Sequence, residues 1–516
     1  MIKYIKKCGL LLGIAALLIT SCKKQLEVSP RQSIDANGAL SSRDAVEAAI
    51  TSVYVRLKNA RAYGRDLVTH PEALADNGFA TNKSGRLLPE ANNNQGAHFT
   101  GTIWTNGYAA INQANLILEA LPTLDLTPAV TQAERDRWEG QLYFLRGLYM
   151  FDMVKVYSYI PGAVVAAQDR GGVPIVLKAI SSVDSALAFR PSRNPIDDVY
   201  TQAVADLTLA NSKLLASASV SLANKGAAQG LLARINLYRK NYAEAKRWSD
   251  STIALASAKM SSAAEYVSQW RGDTHKETLF QVRFASNAEN IGVNESNQTS
   301  FTTLTAPGNT ATTGGFGDLV PTISLLNDLG ITLAGGNILS VYALNHVVAS
   351  RSTDVRNLLF EPGTTGRGPA KVESTKFLGK SGFINLDNVP VLRISELYLT
   401  RAEALATPGS AVLNEAAAIT DLKFIKSRRY TDYAGSAQET ADGLLTGQAL
   451  VDEIIRQRRI EFAYEGQRFF DLKRLGRDLL KGPHYNNVAF TDTRILPPIP
   501  QADVDGNTNL KQNAGY

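Results

Sequence analysis

The stretch that decides the fold is residues 224–256, which read NKGAAQGLLARINLYRKNYAEAKRWSDSTIALA. Apolar side chains recur at three- and four-residue steps on both sides of Lys240 and Asn241, where the pattern breaks. This period predicts two helices of about fifteen residues each, joined by a tight turn. Alanines at the crossing points allow close packing, so the stretch is predicted to form a helical hairpin.

The hairpin resembles a tetratricopeptide-type unit, and a second candidate pair of helices lies at 391–405 and 412–429. The spacing between the two hairpins is irregular, which favours degenerate repeats inside one body over a free-standing solenoid. The fold class is therefore predicted to be mainly α. The same period predicts further helices at 41–57, 104–121, 135–157 and 195–214.

Between residues 285 and 387 the composition changes to Asn, Thr, Ser and Gly, most clearly at 286–305 and 312–317. Such residues favour loops and short strands over helices. Long loops in compact proteins usually carry binding function, so a ligand is expected to contact this loop-rich segment. The alternative is a surface excursion without a binding role.

Residues 454–474, IIRQRRIEFAYEGQRFFDLKR, place acids and arginines at three- and four-residue steps. On one continuous helix these charges would be neighbours along one face, with apolar side chains on the other. An arginine within one turn of each acid lowers the carboxylate pKa instead of holding it near neutrality. The pattern therefore favours a structural ion-pair lattice over a catalytic pair. The charged positions are Arg458, Glu461, Glu465, Arg468, Asp471 and Arg474.

The first residues are typical of a secretory leader. Three lysines precede an apolar run at 8–19, which is shorter than the roughly 20 residues that span a bilayer as a helix. The sequence LITSC at 18–22 resembles a bacterial lipobox, so 1–21 is predicted to be a lipoprotein signal peptide and Cys22 the lipidated residue. The alternative is an ordinary secreted protein with an incidental Cys22.

Composition excludes several classes of function. Both cysteines lie in the first 22 residues and the five histidines are scattered, so no disulfide framework, metal site or cofactor is expected. The formal charge of +6 falls by three once the leader is removed, which takes away the compositional support for nucleic-acid binding. The common hydrolase, nucleotide-binding and calcium-binding motifs are missing from the sequence, and no catalytic residue is predicted.

Taken in order, the segments resemble the SusD/RagB family of outer-membrane nutrient-uptake lipoproteins of Bacteroidetes-type bacteria. The resemblance covers nearly the whole chain after the leader. Two departures are Gln457-Arg458, where the family has a Glu-Arg pair, and Lys23-Lys24 after Cys22, where surface-export tracts tend to be acidic. The segments that carry the resemblance are Cys22 with 26–30, ALAD at 73–76, the helix at 104–115, QLYFLRGLYMFDMVKVY at 141–157, GGVPIV at 171–176, LLARINLYRKNYAEAKRW at 231–248, DVR at 354–356, VLRISELYLTRAEAL at 391–405, IEFAYEGQRFFDLKRLG at 460–476 and the ending LPPIPQADVDGNTNLKQNAGY.

The resemblance implies a mainly α, SusD-like fold in which tetratricopeptide-like hairpins pack with an irregular, ligand-facing region. It implies a lipidated tether at 22–40 and one domain at 41–516, divided into a helical part (41–284), the loop-rich segment (285–387) and a second helical part (388–516). It also implies a lipid-anchored, surface-exposed protein of the outer membrane that delivers its ligand to a SusC-like, TonB-dependent transporter.

The favoured hypothesis is thus a non-enzymatic protein that binds a soluble nutrient, most simply an oligosaccharide. Such a site needs aromatic faces for sugar C–H surfaces and polar groups for hydroxyls. One alternative is a membrane-tethered, tetratricopeptide-like scaffold that binds no small molecule, and another is a lipid-anchored glycoside hydrolase. The residues that the resemblance places in ligand-facing segments are Asp76, Asn77, Asn82, Trp104, Asn106, Tyr108, Trp270 and Phe316.

Overall fold

The computed structural model describes residues 40–99, 102–273, 275–344 and 346–516. The predicted leader, Cys22 and the tether up to residue 39 lie outside these ranges. The α-helices are α1 (Arg43–Val55), α2 (Asp66–Leu74), α3 (Leu88–Ala91), α4 (Thr102–Ala120), α5 (Gln132–Tyr157), α6 (Val183–Ala188), α7 (Ile196–Lys213), α8 (Lys225–Tyr238), α9 (Tyr242–Ala256), α10 (Ala263–Tyr266), α11 (Asn297–Phe301), α12 (Ile323–Asp328), α13 (Leu339–Leu344), α14 (Ile394–Ala406), α15 (Glu415–Lys426), α16 (Ala437–Asp442), α17 (Gly447–Glu461), α18 (Arg468–Leu475) and α19 (Gln501–Gly506).

The strands are short and lie mostly in the middle of the chain. Each pairs antiparallel with one other strand, β1 with β3, β2 with β8, β4 with β5 and β6 with β7. Helices therefore supply most of the core, as the sequence predicts. The strands are β1 (Gly78–Ala80), β2 (Thr278–Val282), β3 (Leu319–Pro321), β4 (Ile331–Leu333), β5 (Val348–Arg351), β6 (Phe360–Pro362), β7 (Val372–Ser374) and β8 (Val389–Arg393).

The predicted hairpin at 224–256 is confirmed as α8 and α9. Asn224 and Asn241 begin the two helices, and the side-chain oxygen of each accepts a hydrogen bond from the backbone N–H three residues later. Lys240 takes a positive φ of 57° at the turn between them. The second pair is also confirmed, as α14 and α15, and α9 packs against α14 so that the two hairpins lie side by side.

The second pair begins later than predicted. Residues 391–393 belong to β8, which pairs with β2 through Thr278 and Arg393. β-branched Val389 and Val391 flank Pro390 here, and such residues favour an extended strand over a helix. The prediction of a helix from residue 391 was wrong by three residues.

The helices predicted in the first half are confirmed within a few residues, as α1, α4, α5 and α7. The longest, α5, begins with a capping box in which Thr131 and Glu134 exchange hydrogen bonds. α5 packs against α4 and α7. The buried hydrophobic cluster to which these helices contribute extends from Leu40 to Leu510.

The charged run at 454–474 is not one helix, as the sequence analysis predicted, but two. α17 ends at Glu461 and α18 begins at Arg468. Between them Tyr464 and Gly466 take positive φ values of 65° and 79°, and the Gly466 N–H donates to the buried Glu72 carboxylate at 2.9 Å. A left-handed backbone cannot continue a right-handed helix, so the chain turns here.

The run does form a structural ion-pair lattice, as predicted, and the lattice is buried, but most of its charges pair with residues outside the run instead of with one another along one helix face. The Glu461 carboxylate accepts hydrogen bonds from Arg393 at 2.8 Å and from Arg429 at 2.9 Å, and Arg356 lies 3.4 Å away. Burial acts to raise the pKa of Glu461, but Arg429 and Arg393 hold it well below its usual value. Because these four side chains are at most 1% exposed, the lattice ties segments distant in sequence together inside the protein.

The loop-rich segment, 285–387, contains the short strands β3–β7, as its composition predicts, and also the short α-helices α11, α12 and α13, which the composition did not predict. It is not only a surface excursion, since residues 295–304 are largely buried and Phe301 packs edge-on against Tyr464. The division of the chain at 285 and 387 stays a sequence-based prediction.

Candidate ligand-binding site

Two of the predicted ligand residues, Asn82 and Phe316, are brought together by the pairing of β1 with β3. Asn82 follows β1, and Phe316 precedes β3. Thr81 continues the pairing, because its N–H donates to the Asp318 carbonyl and its hydroxyl donates to the Gly317 carbonyl, both at 2.8 Å. The loop after β1 and the loop-rich segment therefore form one continuous surface.

At this surface the Phe316 ring lies against two arginines, and we name Arg86, Phe316 and Arg367 the Arg–Phe cluster. The guanidinium carbons of Arg86 and Arg367 lie 4.7 and 3.9 Å from the ring centre, within the range of a cation–π contact. Phe316 is half-buried and Arg367 is exposed. The cluster thus presents part of the ring and the terminal NH₂ groups of Arg367 to solvent, whereas both terminal nitrogens of Arg86 donate to Asn294, at 2.5 and 3.5 Å.

Backbone contacts hold each member of the cluster in place. Arg367 Nε donates to the Gly315 carbonyl at 2.9 Å, and Arg86 Nη1 donates to the Asn294 carbonyl at 2.5 Å. Gly317, directly after Phe316, takes a φ of 61°, and a Cβ there would lie 2.7 Å from a carboxylate oxygen of Glu373. Glycine is therefore required at the turn that positions the ring.

The acids nearest the cluster are buried beneath it. Asp318 is 1% exposed, accepts a hydrogen bond from the Ser84 hydroxyl at 2.6 Å and lies 4.0 Å from Arg86. Glu373 is fully buried and bound by Lys83 at 3.3 Å. Burial raises the pKa of both carboxyl groups. These two carboxylates therefore face inward, and the partly exposed Glu295, which follows Asn294, is bound by Arg65.

Asn82, in the loop after β1, has an exposed side chain that could contact a ligand. Its backbone is left-handed, with φ at 59°, and its side chain is exposed. Among the described residues its amide has no hydrogen-bond partner. An amide in this state can donate to and accept from a hydroxyl-rich ligand.

Trp104 and Tyr108 lie elsewhere, at a cavity of about 390 Å³ between α4, the segment 174–191 and α19. The two rings meet edge-on with centres 5.0 Å apart. Much of the polar capacity of the lining is already used, because the Tyr108 hydroxyl donates to the Pro174 carbonyl and the Asn112 amide both donates to and accepts from Ile180. The cavity wall is mostly apolar, and its lining also includes Arg190, Asp503 and Asn507.

Asp76, Asn77 and Asn106 have buried side chains that bind other parts of the protein. Asp76 accepts two hydrogen bonds from Arg468, at 2.7 and 2.8 Å. Burial acts to raise the pKa of Asp76, but Arg459 and Arg468 hold it well below its usual value. Asn77 joins Glu72 to Arg459, and Asn106 donates to a backbone carbonyl. These contacts give each side chain a structural role, and a ligand contact for them stays a prediction.

Trp270 is also interior, at 7% exposed. Its ring meets His275 edge-on at 4.5 Å, and the Lys376 ammonium lies 4.9 Å from the ring centre. This environment is that of a packed core residue beside the ion-pair lattice. Its predicted contact with ligand likewise stays a prediction.

Sequence reasoning missed both arginines of the cluster. Arg86 follows Gly85, and Arg367 lies between Gly366 and Gly368. An arginine between glycines in a polar, loop-rich segment has no helix face to occupy and is free to reach a ligand. The glycines next to each arginine are visible in the sequence. Their spacing, however, does not show that Arg86 lies close to Arg367, which is 281 positions later.

Within 40–99, 102–273, 275–344 and 346–516, no helix combines the length and apolar character needed to cross a membrane. Over the same ranges, no group of three or more His, Cys, Asp and Glu side chains is placed to hold a metal ion.

Comparison with known proteins gives two family matches. Residues 342–516 match the SusD family, and residues 24–237 match a family described as starch-binding and associating with the outer membrane. The chain is 32% identical to the starch-binding protein SusD of Bacteroides thetaiotaomicron over 136 residues, which are 25% of this chain and 22% of that protein. It is 24% identical to SusD-like protein P2 of Formosa agariphila over 540 residues, which are 99% of this chain and all of that protein.

The fold is shared with solved structures. The crystal structure of a SusD superfamily protein from Bacteroides thetaiotaomicron aligns with a TM-score of 0.74 at 24% identity, over 91% of this chain and 99% of that chain. This confirms the predicted mainly α, SusD-like fold. The two family matches and the whole-length relative agree with one another, and the chain belongs to the SusD/RagB family.

Proposed function

We propose that this protein is a non-enzymatic binding protein that captures a glycan at the Arg–Phe cluster and delivers it to a TonB-dependent, SusC-like transporter. The observation that carries the proposal is the cluster itself. It offers a half-buried aromatic ring, the positioned N–H donors of Arg367 and the exposed amide of Asn82 on one surface. These are the groups that recognise sugar rings and hydroxyls, and the matched family is described as starch-binding.

Binding is tested on the soluble chain without the leader and Cys22, by calorimetric titration with a panel of oligosaccharides. Phe316→Ala is expected to weaken the tightest interaction of the panel about tenfold or more, because the ring both contacts ligand and positions two arginines. Phe424→Ala is the matched control, since Phe424 is also half-buried under an arginine, with the guanidinium carbon of Arg428 3.7 Å from its ring centre. An equal loss in both variants, or no binding to any glycan, contradicts the proposal.

The absence of catalysis is part of the proposal. A glycosidase needs two carboxyl groups that face one cleft about 5 to 9.5 Å apart. The acids nearest the cluster, Asp318 and Glu373, are buried and hydrogen-bonded within the protein. Incubation of the bound glycan with the protein is expected to release no reducing ends, and sustained release at a rate proportional to protein would refute a purely binding role.

Attachment to the outer membrane is proposed to depend on lipid at Cys22, with the binding surface exposed outside the cell. The lipobox-like LITSC supports the anchor, and the family described as associating with the outer membrane supports the location. Cys22→Ser is expected to abolish incorporation of labelled fatty acid and to release the protein from the membrane fraction. Retention of the variant in that fraction would contradict the anchor.

Delivery to a transporter is proposed from family membership, with the helical hairpins α8–α9 and α14–α15 as the contact surface. Stacked hairpins present an extended surface suited to protein contact. The lipidated protein, purified in mild detergent, is expected to bring a large barrel protein with it. Recovery of the protein alone, from cells grown on a glycan that it binds, would contradict this partnership.

A further inference from the structure

We infer that the glycan bound at the Arg–Phe cluster is anionic, carrying carboxylate or sulfate groups that the two arginines recognise. The inference rests on the proposed function, because it names the chemical class of the ligand at the same surface. It goes further than that proposal, which neutral sugars would satisfy equally well.

The first observation is the state of Arg367. Its Nε donates to the Gly315 carbonyl at 2.9 Å, and its guanidinium carbon lies 3.9 Å from the centre of the Phe316 ring. Within the part of the chain that the structure describes, no Asp or Glu oxygen lies within 4.0 Å of its nitrogens. Arg367 is thus held in position, and its two terminal NH₂ groups form no ion pair with a carboxylate of the described residues.

The second observation is that Arg86 adds to the same positive surface. Its Nη1 donates to the Asn294 carbonyl, and the nearest carboxylate, Asp318, is 4.0 Å away and buried. Both guanidinium groups contact one ring, so two positive charges are held near each other. A bound anion would reduce the electrostatic repulsion between them. Among the described residues near this surface, Glu373 is already bound by Lys83, and Glu295, which follows Asn294, is bound by Arg65.

The geometry of a guanidinium fits this ligand class. Its terminal N–H groups form a planar fork that binds carboxylate and sulfate oxygens in pairs, and stacking on an aromatic ring fixes the plane. A neutral hydroxyl uses only one donor of that fork. A glycan with acidic groups would therefore gain most from two arginines that are already oriented.

The test compares glycans that differ in charge alone. Calorimetry measures binding of oligogalacturonate against its methyl ester, which removes the carboxylate charge, and of sulfated carrageenan oligosaccharides against the same oligosaccharides after desulfation. At least one anionic member is expected to bind about tenfold or more tightly than its neutral partner in about 50 mM NaCl, and the preference is expected to shrink in about 500 mM NaCl. The pair that shows the preference identifies carboxylate or sulfate as the recognised group.

Arg367→Gln is the decisive variant, and Arg428→Gln is its matched control, because Arg428 stacks on Phe424 in the same way. Arg367→Gln is expected to remove most of the preference, and Arg428→Gln to leave it intact. Arg367 is exposed, so thermal unfolding of the variant is expected to match that of the wild type. Equal affinity for charged and neutral partners, or a preference that persists in Arg367→Gln, overturns the inference.

The outcomes separate this inference from the proposed function. If neutral glycans bind, lose affinity in Phe316→Ala and show no charge preference, the inference fails while the proposed function stands. If no glycan of any kind binds, both fail.

Discussion

Replacing Glu461 with glutamine is expected to destabilise the fold strongly, because Glu461 is the centre of the buried ion-pair lattice. Its carboxylate faces Arg393, Arg429 and Arg356 at 2.8, 2.9 and 3.4 Å. Glutamine keeps the size of the side chain but removes the negative charge. The three guanidinium groups would then remain buried with one counter-charge fewer.

The magnitude follows from burial. Removing one partner of a buried ion pair costs about 3–5 kcal/mol, since the remaining charge loses both water and its partner. The entropy of unfolding is about 2.1 cal/mol/K per residue, which gives about 1 kcal/mol/K for the 477 residues from 40 to 516. Glu461→Gln should therefore lower the unfolding midpoint by about 3–5 °C.

Differential scanning calorimetry measures the shift, with Glu244→Gln as the control. Glu244 pairs with Arg247 on a helix surface where the two side chains are 38% and 53% exposed, and exposed pairs contribute about 0–1 kcal/mol. The control midpoint should therefore fall by no more than about 1 °C. If Glu461→Gln unfolds within about 1 °C of the wild type, the lattice adds no net stability and this reasoning is refuted.

Three further predictions concern other parts of the fold. Burial acts to raise the pKa of Asp471, but Arg458 and Arg474 lower it to about 2 in the folded state. This carboxylate therefore contributes stability above about pH 4 that is lost as the pH falls toward 2. When the unfolding midpoint is measured over that pH range, it should fall less in Asp471→Asn than in the wild type. Gly466→Ala should lower the unfolding midpoint more than Gly409→Ala does, because a Cβ at Gly466 would lie 2.2 Å from a backbone oxygen, whereas Gly409 has a similar φ and open space around it. Equal unfolding midpoints for the two variants would contradict this clash. Asp76→Asn should lower the midpoint by about 3–5 °C, because it leaves the largely buried Arg468 without its carboxylate partner. A midpoint within about 1 °C of the wild type would show that this pair adds no net stability.

The helical part of the fold could be predicted from sequence because its signals are local. The hairpin at 224–256 has a clear 3.6-residue period and a break at Lys240, and both appear in the structure. The charged run at 454–474 has the same period, yet it forms two helices. What ends α17 is a tertiary contact, since the Gly466 N–H reaches Glu72, nearly four hundred residues earlier in the chain. A contact of that kind leaves no periodic trace in the sequence.

The ligand-binding surface could be predicted only in part for the same reason. Phe316 and Asn82 were predicted because each lies in a segment that the family resemblance marks as ligand-facing. Trp104 and Trp270 rest on the same resemblance, and an aromatic side chain suits a core as well as a binding site. In the structure both are buried, whereas Phe316 is half-buried and Asn82 is exposed. Which of them contacts ligand stays a prediction, and their burial depends on packing between distant segments.

The buried acid Glu373 explains how so irregular a region can hold a defined binding surface. Its carboxylate accepts hydrogen bonds from the Thr303 N–H and hydroxyl at 2.6 and 2.7 Å and from Lys83 at 3.3 Å. Lys83 lies three residues before Arg86, and the turn at Gly317 that places Phe316 passes directly over the same carboxylate. One buried charge thus joins the two loops that supply the Arg–Phe cluster. Because fixed groups lose less conformational entropy when a ligand binds, this buried contact would favour affinity at the proposed glycan site without itself touching the ligand.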